Sequence, residues 1–218
     1  MSPAKIRLEE SCPGTLAESD LGLSRALLAR AQGGDAGALD ELFTRYYDRL
    51  RRIVRIRLGP QARRMLDSGD IVQETFQAAL GGLVDLRISE DGELLRWFAR
   101  VAENRIRDEV DRQRAQKRAS DREKALEVAT ERSGLADGAT SPPERAFQNE
   151  VREVLDESIA ELSPEYREAV LLRDFCGTDW ETIARRLGRE NVHAAQQLHQ
   201  RAWIKLRRAA SERLGTID

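Results

Sequence analysis

The sequence predicts an all-α protein: two small helical domains joined by a flexible linker, the C-terminal one a helix-turn-helix. Three observations carry this. Apolar residues recur at three- and four-residue spacing through most of the chain. Gly, Pro and Ser-Pro interrupt that pattern at only a few points. Charged residues make up 34% and aromatics 5% of the 218 residues, a profile of helices with solvated faces rather than of many short β-branched strands.

Residues 1–19 form a polar tail with Pro3, Pro13 and Gly14. The first domain, 20–118, opens with Leu23, Leu27, Leu28 and Ala31 at helical spacing. Gly33-Gly34-Asp35 stops that helix and caps the next. From Ala36 a long amphipathic helix carries Leu39, Leu42, Phe43, Tyr46, Leu50, Ile53 and Val54 on one side. Its other face is basic (Arg45, Arg49, Arg51, Arg52, Arg55), and Gly59-Pro60 is expected to end it. After a turn, Asp67–Phe76 begins a helix with Asp70 as N-cap and Gln73 three residues on, a capping-box pattern. Its polar side holds Asp67, Asp70, Gln73 and Glu74, and it stops near Gly81-Gly82. A loop, Leu83–Asp91, leads to a helix from about Glu93 to Arg118, capped by Ser89 or Asp91. Leu94, Leu95, Phe98, Val101, Ala102 and Ile106 form its apolar face. Trp97, Arg100, Asn104, Arg107 and Asp108 gather opposite. A tryptophan among Arg and Asn suits stacking on bases and pairing with phosphates; folding over the helix edge onto the core is the competing role.

Residues 119–147 lose the periodicity and gain Gly, Ser and Pro, which reads as a linker. The second domain, 148–214, has a helix stripe from Val151 to Leu162, then Ser163-Pro164 as N-cap and first helical residue. Cys176-Gly177 ends that helix. A short helix with Trp180, Ile183, Ala184 and Leu187 closes at Gly188, and a last helix follows a three-residue turn. Two short helices so joined match the helix-turn-helix pattern. On the last helix Val192, Ala195, Leu198, Ala202 and Leu206 fall on one side. His193, Gln196, Gln197 and Gln200 fall on the other, where amides can read base edges. Arg189 and Arg201 flank them with further arginines suited to phosphates.

The net charge of −2 gives no global signal for nucleic acid, so any basic surface must be local. Residues 1–20 lack the apolar segment of a signal peptide. No run reaches the ~18 apolar residues of a membrane span; a cytoplasmic protein without membrane contact is expected. Cys12 and Cys176 stand alone, and His193 and His199 are six apart, so no metal site is assigned. With no phosphate loop and no nucleophile–base pair, no catalytic residue or cofactor is assigned either.

Three motifs resemble the bacterial extracytoplasmic-function (ECF) sigma factors of the sigma-70 family: Asp70-Ile-Val-Gln-Glu-Thr-Phe76; Trp97-Phe-Ala-Arg-Val-Ala-Glu-Asn-Arg-Ile-Arg-Asp108; and Leu162-Ser-Pro-Glu-Tyr-Arg-Glu-Ala-Val-Leu-Leu-Arg-Asp174 with Ile183-Ala-Arg-Arg-Leu-Gly188. The resemblance implies a non-enzymatic protein that binds core RNA polymerase and directs promoter-specific initiation. It implies that Asp67, Asp70, Gln73 and Glu74 face a basic coiled coil of the β′ subunit. Trp97, Arg100, Asn104, Arg107 and Asp108 would contact the minus-ten element of promoter DNA, with the Leu83–Asp91 loop holding an unstacked base. Arg189, His193, Gln196, Gln197, Gln200 and Arg201 would serve the minus-thirty-five element. An anti-sigma factor is a partner the resemblance leads one to expect. Relatives often carry Asp-Ala-Glu-Asp where this chain has Asp67-Ser68-Gly69-Asp70, and Val-Arg where it has Ala195-Gln196. A phosphate on Ser68 from a regulatory kinase would restore the missing charge. The other reading of the same helices is a stand-alone helix-turn-helix regulator with an N-terminal sensing or dimerisation domain.

Overall fold

The computed structural model describes residues 18–89, 92–123 and 143–215. They form helices α1 (Glu18–Gln32), α2 (Ala36–Ala62), α3 (Ser68–Leu83), α4 (Glu93–Glu123), α5 (Pro143–Glu161), α6 (Pro164–Val170), α7 (Trp180–Arg186) and α8 (Val192–Leu214), with a π-helical turn Leu171–Phe175 between α6 and α7. No strand occurs among the described residues, as the composition predicts. The N-terminal tail and most of the expected linker lie outside the described residues; α4 continues to Glu123 and α5 already starts at Pro143.

The apolar stripe of α2 is the axis of the molecule. Leu42, Leu50, Ile53 and Val54 are fully buried. Around them stand Leu27 of α1, Ile71 and Val72 of α3, and Leu95, Phe98 and Ala102 of α4. Phe98 is the hub of an aromatic cluster: its ring centroid lies 5.2 Å from Phe76, 5.7 Å from Tyr46 and 6.1 Å from Phe43. The same core continues into the C-terminal half through Leu155, Ile159, Leu171 and Phe175. Leu172, Ile183, Ala184 and Ala195 form a second, smaller core under the helix-turn-helix.

Helix ends differ from expectation at three places. Asp67, not Asp70, is the N-cap of α3, accepting from the Gly69 and Asp70 amides at 2.6 and 3.2 Å. An Asx side chain two or three residues before the first free amides is the better placed acceptor. Gly59-Pro60 breaks the long helix where expected, but a further helical turn follows at once, so α2 as a whole runs on to Ala62. Gly59 sits at φ 67°, a conformation cheap only for glycine, and the chain resumes a helical turn to Ala62. Ser163 precedes Pro164 as expected but makes no side-chain cap bond.

Asp179 caps α7, accepting from the Thr182 amide at 2.8 Å. That amide, chiefly, holds its carboxyl below the usual carboxylate range. A depressed pKa gives stability that is present above the ordinary value and lost as pH falls through the folded one. Asp179→Ala is therefore expected to cost about 1 kcal/mol near neutral pH. The penalty should shrink in acid, checked by urea unfolding at pH 7 and pH 3.

Candidate nucleic-acid and partner interfaces

Helix α3 presents Asp67, Asp70, Gln73 and Glu74 to solvent on successive turns, while Ile71, Val72, Thr75 and Phe76 are buried behind them. The spacing of i, i+3 and i+4 puts the polar set on one side of the helix. The glycine at 69 sits in a crowded place. A Cβ there would lie 2.9 Å from the Asp67 carboxylate that caps the helix and 3.2 Å from the Tyr47 hydroxyl. Ser68 is 8% exposed, so a phosphate on its hydroxyl has no room without unwinding the first turn. This placement goes against the expected accessible kinase site.

Helix α4 exposes Arg100, Asn104, Arg107 and Asp108. Of the two roles expected for Trp97, its placement fits packing on the core. It is half-buried, packed on the core, with its ring centroid 5.3 Å from Phe98. Its indole lies over Gly82 of α3, where a Cβ would come within 2.9 Å of the ring. The core competes successfully for a flat apolar surface that water would otherwise cover. Beside this face the loop after α3 is held by Gln32, whose amide donates to the Leu83 and Leu86 carbonyls at 2.8 Å each. A concavity of about 310 Å³ opens there between Arg25, Gln32, Leu86, Arg87 and Ser89. Ser89 also donates through its amide and hydroxyl to Glu93 at the start of α4.

In the C-terminal half, Asn191 caps α8 by accepting from the Ala194 amide at 2.9 Å. Its first three turns expose His193, Gln196, Gln197, Gln200 and Arg201. A ring nitrogen of His193 lies 2.8 Å from the Gln197 amide nitrogen. Ala195 is wholly buried in the small core, so its small side chain answers to packing. Arg189 is only half-exposed and donates to Glu165 at 2.7 Å.

Sequence reasoning missed two constellations. Asp174, on the π-helical turn, faces His199 Nε2 and accepts from Trp203 Nε1, both at 2.9 Å. Trp180 packs edge-on against His199. His199 therefore ties α8 to its own domain. A π turn carries one more residue per turn than the 3.6 spacing assumes, so the register that places 174 beside 199 and 203 is not the one helical spacing predicts. The second constellation uses the basic face of α2. Arg52 donates to Asp156 of α5 at 2.8 Å, and Arg57 donates to both oxygens of Glu168 in α6 at 3.0 Å. Arg186 of α7 bridges Glu168 and Glu103 of α4 at 3.2 and 2.7 Å. Only their helical spacing was legible, not their partners. Burial pushes the Cys176 thiol up to about 12, so it is an inert packing group. Among the described residues no group of three or more His, Cys, Asp or Glu side chains is placed to hold a metal ion. No described helix is long and apolar enough to cross a membrane.

The chain is similar in sequence to known proteins. The ECF RNA polymerase sigma factor BldN of Streptomyces coelicolor is 27% identical over 187 residues, 85% of this chain and 65% of BldN. The ECF RNA polymerase sigma-E factor of Escherichia coli strain K12 is 30% identical over 161 residues, 73% of this chain and 80% of that protein. The solved structure of CnrH in complex with the cytosolic domain of CnrY has a similar fold, with TM-score 0.52 and 23% identity over 87% of this chain and 98% of that one. The family model described as "ECF sigma factor" matches residues 24–210, and with that span the chain belongs to the ECF sigma factor family.

Proposed function

We propose that this ECF sigma factor binds core RNA polymerase through Asp67, Asp70, Gln73 and Glu74 and directs it to particular promoters. In this reading 20–118 is the polymerase- and minus-ten-binding domain, 148–214 the minus-thirty-five domain, and residues between them the connection. The work takes place in the cytoplasm. The observation that supports the reading best is that both helices expose uncharged amides between arginines. Asn104 stands with Arg100 and Arg107 on α4; Gln196, Gln197 and Gln200 stand with Arg201 on α8. Arginines hold phosphates and amides discriminate bases, so the two sets divide positioning from reading. Trp97, half-buried on the core one face-repeat before Asn104, fixes the edge of α4 on which Asn104 stands. The members of this family are regulators of transcription rather than catalysts, and no chemical step is assigned.

CnrH is seen in complex with the cytosolic domain of CnrY; an anti-sigma protein of that kind is the regulatory partner we assign to this chain. A regulatory kinase acting at Ser68 would need the first turn of α3 to unwind before transfer.

The decisive experiment is run-off transcription with purified core polymerase as the only other protein. Specific product supports the sigma reading. Product only when another sigma factor is present would establish the stand-alone regulator instead. Within the reading, Gln196→Ala with Gln197→Ala is expected to flatten discrimination at the minus-thirty-five element. Each lost amide–base pair is worth about 1–3 kcal/mol. Competition between the selected promoter and single-base variants measures it; unchanged preference would remove these residues from base reading.

A further inference from the structure

The turn that follows α3 is closed by one backbone bond, from the Leu86 amide to the Leu83 carbonyl at 3.2 Å. The rest of its fixing comes from α1, 51 and 54 residues earlier in the chain. Gln32, the last residue of α1, donates both N–H groups of one amide to the Leu83 and Leu86 carbonyls, at 2.8 Å each. Both neighbours are acceptors, so only the nitrogen end of the amide can face them. The side chain is exposed and lies outside the apolar core, so the fold has little use for it beyond these two bonds.

The corner that presents Gln32 is itself fixed. Asp35 caps α2 through the Ala38 amide at 3.0 Å and accepts from Arg30 Nε and Nη2 at 2.9 and 2.7 Å. The far end of the loop is anchored independently, by buried Ile88 and by Ser89, which donates to Glu93. Between these anchors the loop and α1 enclose the concavity of about 310 Å³, with Arg25, Arg87 and Ser89 exposed on its rim. Leu86 is part of its wall. The shape of that wall depends on where Leu86 is held, and Gln32 holds it.

Building on the sigma-factor reading, in which this loop holds an unstacked base of the minus-ten element, we propose that Gln32 is a positioning residue for promoter recognition. It acts through the loop, keeping the Leu83–Leu86 turn in the shape that receives the base. Drawing a base out of a duplex costs stacking energy, and a concavity already shaped for it avoids a further ordering cost.

Two variants remove the donors in different ways. Gln32→Met keeps the length and loses the N–H groups; Gln32→Glu sets a carboxylate against two carbonyl oxygens. In both, hydrogen–deuterium exchange over residues 84–89 should speed up about 10-fold, as expected for two lost hydrogen bonds of ordinary strength, with the remainder of the chain unchanged. Binding of the chain with core polymerase is then measured on a forked promoter, single-stranded through the minus-ten element, with an abasic site at each position in turn. For the wild type, one abasic position weakens binding and so identifies the held base. Gln32→Met should weaken binding about 10-fold on the intact fork and add little on the fork that lacks that base. A variant that merely damaged the fold or the polymerase contact would lose the same factor on both forks. Equal losses on the two forks would overturn the positioning role, as would no loss on either or unchanged exchange over 84–89. A wild type indifferent to every abasic position would instead remove the base-holding loop, and the role of Gln32 with it.

Discussion

Phe98→Ala should lower the melting temperature by roughly 10 °C, corresponding to about 3–5 kcal/mol. Phe98 is wholly buried, and four aromatic rings surround it: Phe43, Tyr46, Phe76 and Trp97. Removing the ring takes away its transfer free energy and leaves a cavity that α2, α3 and α4 cannot all close upon. Edge-to-face contacts with Phe76 add a further directional contribution. The consequence reaches function, because Trp97 leans on Phe98 and the exposed edge of α4 is set by Trp97. Phe98→Leu, which keeps most of the volume, should lose well under half as much. Thermal unfolding followed by circular dichroism tests both; a drop within about 2 °C for Phe98→Ala would show that the cluster is not the hub of the core.

How much of this was legible beforehand follows from the range of the forces involved. Helix periodicity is local, so α1 to α4 and the Val151–Leu162 stripe could be read directly from spacing. The exposed polar sets on α3, α4 and α8 followed from the same rule. Caps were less legible. Asp67 and Asp70 are both acceptable acceptors, and only the backbone decides that Asp67 reaches the free amides. Trp97 could not be placed from sequence, because helix angle alone does not say how far a large ring folds over. The Gly82 contact decides it. The π-helical turn hid the Asp174–His199 tie. Least legible was the docking of the halves. Arg52 and Arg57 look like any solvated arginines until Asp156 and Glu168, over a hundred residues away, arrive beside them. Gly69 shows the opposite limit. It was visible as a departure from the acidic pattern, but its crowding by the Asp67 cap and the Tyr47 hydroxyl needed coordinates.

Gln73→Ala with Glu74→Ala should weaken binding to core polymerase about 100-fold, about 2–3 kcal/mol. Gln73 and Glu74 are exposed in the second turn of α3, next to a buried backing of Ile71, Val72 and Phe76. Neither has a partner that folding needs, so the change in stability should stay within about 0.5 kcal/mol. The size of the effect on binding follows from what surrounds them. Asp67 has part of its carboxylate occupied as the N-cap. Position 69 carries no acid, and a side chain there would press on the Asp67 carboxylate. Fewer free carboxylates remain on this face, so each carries a larger share of the attraction to a basic surface. Truncating one side of such a charge pair also strands the other in the interface. The loss should therefore be steep at low salt and smaller at high salt, where the wild type weakens too. Titration of labelled protein against core polymerase at two salt concentrations measures both. Binding that is unchanged at low salt would remove this face of α3 from the polymerase contact. A parallel loss of melting temperature would mean that the pair supports the helix rather than the complex.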